Sequence, residues 1–178
     1  MERVQGVGTG LGAMLMSIAR RWPEKKLFAL DISYVNMKAV RGKVEYFGLS
    51  GDIYLVVGDA LNMPFKGCAF DVVESWFGIG NIAGFSEVVR QAYRVLKLGG
   101  RLTVSGAWGD AFLNLSVYGR VEGSLTSKER GELIGFLRRM ELMLNVDEVV
   151  ETFKRVGFYG IKVYEERGLY VVTGVKPA

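Results

Sequence analysis

Four stretches of this sequence carry residue types that could do chemistry, and each follows a short apolar run. The first is the glycine cluster Gly8-Thr9-Gly10-Leu11-Gly12, behind the run Val4 to Val7. Glycines at 8, 10 and 12 permit a tight turn in which a ligand meets bare backbone, and a following helix would aim its N-terminal amides at negative charge. The second is Asp31, 19 residues past Gly12, where a carboxylate can accept hydrogen bonds from a ribose diol. The third is Asp59, placed to accept from an adenine amino group, and the fourth is Glu74-Ser75. Each has a plain structural reading beside the functional one. Asp31 could simply initiate a helix next to Ser33, and Asp59 could be a turn aspartate before Ala60-Leu61-Asn62. Taken alone, Gly8-x-Gly10-x-x-Ala13 also fits the dinucleotide fingerprint, so a nicotinamide cofactor stays open at this point.

Composition removes other chemistries. The 178 residues contain no histidine, which excludes catalytic triads and His-ligated metal sites. One cysteine, Cys68, allows neither an internal disulfide nor a cysteine-cluster metal site, and no metal is expected. Cys68 is expected to be a small buried hydrophobe in the loop before a strand. The net charge is +4, but the basic pairs Arg20-Arg21, Lys25-Lys26 and Arg138-Arg139 are scattered among acids, which argues against a nucleic-acid partner. No apolar run approaches the ~18 residues of a membrane span. The first residues lack the apolar stretch of a signal peptide, and with a single thiol the expected compartment is the cytoplasm.

The elements that must position these residues alternate. Strands are expected at Val4–Val7, Leu27–Leu30, Ile53–Val57, Phe70–Val73 and Leu102–Val104. Between them lie helical stretches: one with Leu11, Leu15, Ile18 and Ala19 on its buried face, one capped by Ser33, and one capped by Ser86 and broken by Gly99-Gly100. Thr126 with Glu129 and Asn145 with Glu148 form capping boxes that open two more helices, the second ended by Gly157. A closing hairpin, Gly160–Tyr164 and Leu169–Val175, completes the chain. Strand–helix–strand units imply an α/β fold: one domain over 1–178, with a doubly wound, mainly parallel sheet covered on both faces and an antiparallel C-terminal strand. Ligands in such sheets sit at the carboxyl ends of the strands, where all four stretches fall.

A resemblance then adds to this reading. Gly8-Thr9-Gly10-Leu11-Gly12, Leu30-Asp31-Ile32-Ser33, Val57-Gly58-Asp59-Ala60-x-x-Met63-Pro64-Phe65, Phe70-Asp71-Val72-Val73 and Arg94-Val95-Leu96-Lys97-Leu98-Gly99-Gly100-Arg101-Leu102 occur in that order. Together the series resembles class I S-adenosylmethionine-dependent methyltransferases, in particular the quinone-biosynthesis branch. The resemblance implies a seven-stranded Rossmann-like sheet and S-adenosyl-L-methionine as cofactor. It implies that Gly8, Thr9 and Gly10 hold the methionine portion, that Asp31 binds both ribose hydroxyls, and that Ile32 packs on the adenine. Asp59 would meet the adenine amino group, Ala60 would lend an amide, and Glu74 would border the methionine moiety. The transfer needs alignment of a nucleophile with an already activated carbon more than it needs acid–base catalysis.

Two departures from the family pattern stand out. The family's acidic residue two before its first motif glycine is replaced by Gly6, so its task falls away or shifts to Glu74, and Gln5 is polar where a buried strand residue is expected. Only seven residues precede Gly8, where relatives carry helices that cover the cofactor. The expectation is that the chain either dimerises over the exposed face or lacks natural N-terminal residues. The 106–145 insertion would then act as lid, with Trp108, Phe112, Tyr118 and Met140 lining a small, partly apolar acceptor site or merely packing the lid down. Glu74 and Tyr118 are the candidate bases. The alternatives are a degenerate, non-catalytic partner subunit of the same fold and, third, an NAD-dependent oxidoreductase.

Overall fold

Each apolar run forms a strand, and each amphipathic stretch brings the chain back to start the next strand in the same direction. The computed structural model describes residues 1–49, 53–79, 82–108, 111 and 125–178. In chain order the elements are β1 (Arg3–Val7), α1 (Ala13–Arg21), β2 (Lys26–Asp31), α2 (Tyr34–Tyr46), β3 (Ile53–Val57), β4 (Phe70–Trp76), α3 (Phe85–Val95), β5 (Leu96–Ala107), α4 (Ser127–Arg139), α5 (Val146–Val156), β6 (Tyr159–Glu166) and β7 (Leu169–Val175). They build one seven-stranded sheet in the order β3-β2-β1-β4-β5-β7-β6. β1 to β5 pair in parallel, and β7 runs antiparallel to both β5 and β6. The winding reverses between β1 and β4, and the switch-point crevice opens there, beyond the carboxyl ends of the strands.

Alternation along the strands divides the core into two layers. Val4, Leu27 and Ala29 face α1 and α2, where Leu15, Met16, Ala19, Met37 and Val40 bury against them. Val7, Leu30, Val73, Leu102 and Val172 face α3 and α5, meeting Val88, Ala92 and Phe153. The expected cover on both faces holds only in part. α1 and α2 pack over β1 to β3, and beyond them Val72, Glu74 and Thr103 are part-buried while Trp76 is exposed.

Several local expectations change for physical reasons. Leu11 is exposed and Met16 takes its place on the buried face of α1, because the helix begins only at Ala13. Gly99 and Gly100 do not break α3, which already ends at Val95. They form a bulge in the first turn of β5, where pairing to β4 shifts between Phe70 and Val72. Ser86 is not the cap of α3. Gly84 takes that position at φ 88°, and the carboxylate serving the helix start comes from Glu141, which accepts from Ser86 N at 2.7 Å and Ser86 Oγ at 2.9 Å. Cys68 is exposed, not buried: it occupies the turn before β4 at φ 55°, its amide donating to Arg94 O.

Gln5 is fully buried on the α3 face. Its Nε2 donates to Met63 Sδ at 3.4 Å, while Oε1 meets no donor among the described residues. A buried unsatisfied acceptor costs about 1–3 kcal/mol, whereas an apolar group of similar shape costs nothing of the kind. Gln5→Met is therefore expected to raise stability by about 1 kcal/mol in urea unfolding, with an unchanged m-value.

Candidate functional site: a cleft at the carboxyl ends of β1 to β4

The loop after β1 is held by hydrogen bonds inside the protein. Gly8 N and Thr9 N both donate to Leu30 O, at 2.9 and 3.1 Å, and Gly12 N donates to Thr9 O at 2.9 Å. Gly10 N donates to Asp31 Oδ2 at 2.7 Å. The turn needs left-handed backbone at Gly8 and Gly10 (φ 64° and 54°), which a side chain would oppose. The loop amides at 8, 9, 10 and 12 are thus already used, and they are not free donors for a pyrophosphate.

Asp31 ends β2 and locks this loop to α2. Besides Gly10, its carboxylate accepts from Ser33 N at 2.9 Å and Asn36 Nδ2 at 3.3 Å, both on Oδ1. Ser33 in turn caps α2 through Asn36 N at 3.2 Å. A carboxylate offers about four acceptor positions. With three taken, Asp31 has room for one further hydroxyl rather than the expected two. Asp59, after β3, takes the turn role foreseen for it: Oδ1 accepts from Leu61 N at 2.8 Å and caps the short turn Ala60–Asn62, while Oδ2 has no partner among the described residues.

The loops after β1 and β4 touch. Ser75 Oγ, buried, donates to Val7 O at 2.9 Å and accepts from Ile79 N at 3.0 Å. A Cβ on Gly78 would stand 2.6 Å from the carbonyl oxygens of both Gly8 and Val7. Overpacking of this kind against backbone costs roughly 1–3 kcal/mol. Gly78→Ala is expected to lower stability by about 2 kcal/mol in thermal or urea melts. A variant as stable as the parent would show that the two loops separate freely.

Between these loops lies a cleft of about 670 Å³, within the range of small-molecule sites. Of the residues singled out in the sequence, Gly8, Thr9, Gly10, Asp31, Ile32, Asp59 and Ala60 all line it. Ile32 is mostly exposed, so it presents an apolar surface to whatever lies on it. Glu74 is not among the cleft residues. It faces the α1 side of the sheet, and its Oε1 lies where the missing side chain of Gly6 would be, 2.7 Å from an ideal Cβ there. Burial raises its carboxyl from 4.5 to about 7, and no hydrogen bond or ion pair offsets this among the described residues.

Sequence reasoning missed Asn36, Phe77, Gly78 and Ile82, which also line the cleft. Only a non-glycine residue at φ 53°, Phe77, marks the strained exit of β4, and nothing in its type announces that. Just past β5, Trp108 Nε1 donates to Glu165 Oε1 at 2.8 Å, tying it to β6 rather than to the cleft. Met140 ends α4 and accepts from Gly84 N through its carbonyl, and it lines no part of the cleft. Ala83, at the cleft wall, packs on the small cluster of Ala107, Leu137, Leu142 and Met143, so α4 adjoins the rim. Phe112 and Tyr118 lie outside the described residues.

Comparisons with known proteins agree with this architecture. A family profile described as a methyltransferase domain matches residues 4–100. The ubiquinone/menaquinone biosynthesis C-methyltransferase of Dinoroseobacter shibae is 35% identical over 103 residues, covering 58% of this chain and 41% of its own. The demethylmenaquinone methyltransferase of Thermus thermophilus is 33% identical over 103 residues, covering 58% and 46%. The chain thus spans less than half the length of these curated relatives. Among solved structures, the CurJ carbon methyltransferase superposes with a TM-score of 0.78 at 16% identity, over 99% of this chain and 49% of that one. The phosphoethanolamine N-methyltransferase 2 of Haemonchus contortus, in complex with S-adenosyl-L-methionine, gives 0.73 at 18% identity, over 99% and 49%. At such identities the likeness speaks for the fold, which also serves the [4+2]-cyclase SpnF at a TM-score of 0.74. With more than half of its length matched by the family profile, and its glycine loop, Asp31 and Asp59 gathered on one cleft, the chain belongs to the methyltransferase-domain family.

Proposed function

We propose that the cleft binds S-adenosyl-L-methionine and that the chain transfers its methyl group to a small, partly apolar acceptor. One observation carries this reading: Asp31 and Asp59, at the ends of the neighbouring strands β2 and β3, line one cleft with a glycine loop whose amides at 8, 9, 10 and 12 are spent on Leu30, Asp31 and Thr9. Carboxylates beside a loop whose glycine amides are committed suit a cationic ligand with ribose and amino donors better than the diphosphate of a nicotinamide cofactor, which calls on amides at that turn.

Each residue has a task in binding. Asp31 takes one ribose hydroxyl while keeping Gly10 in place, and Asp59 Oδ2 accepts from the adenine amino group. Ile32 covers the ring, and Ala60 lends its amide beside it. Gly8, Thr9 and Gly10 border the methionine portion, and Trp76 and Phe77 wall the end where β4 stops. When bound, the cofactor supplies a methyl carbon already activated by its sulfonium, so the protein's part is to align the acceptor and keep water out. The relatives' printed names point to a quinone-type aromatic acceptor. Among the described residues no helix is long and apolar enough to cross a membrane.

Calorimetry with S-adenosylmethionine, S-adenosylhomocysteine and NAD tests the reading. Binding of the first two at micromolar affinity, with none for NAD, is expected. Silence with all three would favour a non-catalytic partner subunit and overturn it.

A further inference from the structure

The outer surface of the α1–α2 layer differs in kind from that of the opposite layer. α3 carries Glu87, Arg90, Gln91 and Arg94 on its solvent side, and these hydrogen-bond to one another. α2 carries Val35, Ala39, Gly42 and Tyr46 there instead, spaced as one helix face and all exposed. Val35 is 74% exposed and Tyr46 84%. Met37, Val40 and Val44 already fill the inner side of this helix, so it is apolar on both. A soluble helix of that kind is normally covered on both sides. Beside the stripe, a groove of about 660 Å³ runs between the two helices, lined by Leu11, Met16 and Phe47 and by Arg20, Arg21 and Lys43. Leu11 and Phe47 are exposed as well.

The cations of this face are not neutralised by acids. Arg20 lies over the Phe47 ring, 4.4 Å from its centroid, and Lys43 donates to Leu11 O at 2.8 Å. Arg21 and Lys38 have no partner among the described residues. α1 contains no acid, and α2 contains only Glu45. Residues 11–49 hold seven lysines and arginines against three acids, a net +4 equal to that of the whole chain. The excess positive charge is therefore gathered in the region that also exposes the apolar stripe.

We infer that the outer face of α1 and α2 docks on an anionic lipid bilayer. Lipid phosphates meet Arg20, Arg21, Lys38 and Lys43, while Leu11, Val35, Tyr46 and Phe47 enter the boundary between headgroups and acyl chains. A tyrosine, apolar in body and polar at its tip, suits that depth. A nucleic acid would satisfy the cations but would set Leu11 and Val35 against phosphate, so the apolar stripe decides for lipid. A second copy fits less well, because two such faces would bring like charges together. The inference is independent of what the cleft holds.

The test is co-sedimentation of the whole chain with lipid vesicles at pH 7.5 and 0.1 M salt, with no cofactor present. Each basic residue near an anionic surface adds roughly fivefold to the affinity. Phosphatidylcholine vesicles containing one third phosphatidylglycerol should therefore bind the chain at least about tenfold more tightly than phosphatidylcholine alone. Arg21→Glu with Lys38→Glu should weaken that binding about thirtyfold, and Val35→Ser with Tyr46→Ser about tenfold. All four side chains are exposed, so urea melts of both double variants should match the parent. Equal binding to the two kinds of vesicle, or none to either, would overturn the proposal. So would a serine variant that binds like the parent while charge reversal abolishes binding, because the face would then serve an anionic polymer. Tighter binding to a short DNA duplex or to polyglutamate than to the anionic vesicles would overturn it on the same ground. The readout needs no cofactor, so silence in the cofactor calorimetry leaves this inference standing, and failure here leaves the methyl-transfer reading untouched.

Discussion

Replacing Asp31 with alanine is expected to weaken S-adenosylmethionine binding by about a hundredfold, or roughly 2.7 kcal/mol. Two losses combine. A hydrogen bond from a ribose hydroxyl to a carboxylate contributes about 1.5–3 kcal/mol. Independently, the carboxylate holds Gly10 N, Ser33 N and Asn36 Nδ2, so its removal releases the glycine loop from the start of α2. Asn36→Ala separates the two. It removes one contact to Asp31 and leaves the carboxylate in the cleft, and should cost threefold or less. Calorimetric titration of both variants checks this. Unchanged affinity in Asp31→Ala would remove Asp31 from the cofactor site.

The second large effect is on stability. Burial raises the Glu74 carboxyl from 4.5 to about 7. The folded state therefore holds this proton more tightly than the unfolded chain, and between pH 4.5 and 7 the folded form carries more protons. Stability from this group is full below about pH 4.5, falls as pH rises through that window, and is flat above about pH 7. The loss is at most about 3 kcal/mol, since each pKa unit corresponds to about 1.36 kcal/mol. Glu74→Gln cannot ionise, so the parent should lose stability relative to the variant across that window. Glu87 acts in the opposite sense: hydrogen bonds from Gln91 and then Arg90 hold its carboxyl below 4.5, so its contribution is lost only as pH falls below that window. Urea melts of parent and variant at pH 5 and pH 8 make the comparison. A pH-independent difference would mean that Glu74 remains solvated.

Much of this was legible in residue types and spacing. Local chemistry fixes the start of α2 at Ser33, the capping boxes at Thr126 and Asn145, and the end of α5 at Gly157, because cap and capped group lie within four residues of each other. The strand ends were readable for the same reason, and with them the gathering of Asp31 and Asp59 on one cleft. Features set by distant partners were not. The start of α3 is served by Glu141, 55 residues away from Ser86, so Ser86 looked like a cap that it is not. Gly78 is glycine because of Gly8, and Gly6 leaves space for Glu74, two contacts between strands that no local window contains. The face that Glu74 takes was not legible for a related reason: side chains alternate along β4, and the choice follows from pairing with β1.

Cys68 sits in the turn before β4, at the amino-terminal end of a parallel strand, whereas the cleft opens at the carboxyl ends. The chain thus offers a single exposed thiol on the pole opposite its ligand site. A maleimide dye or spin label placed there reports on the folded molecule without entering the cleft, and no cysteine has to be removed first. The same placement means that air oxidation would join two copies back to back, leaving both clefts open.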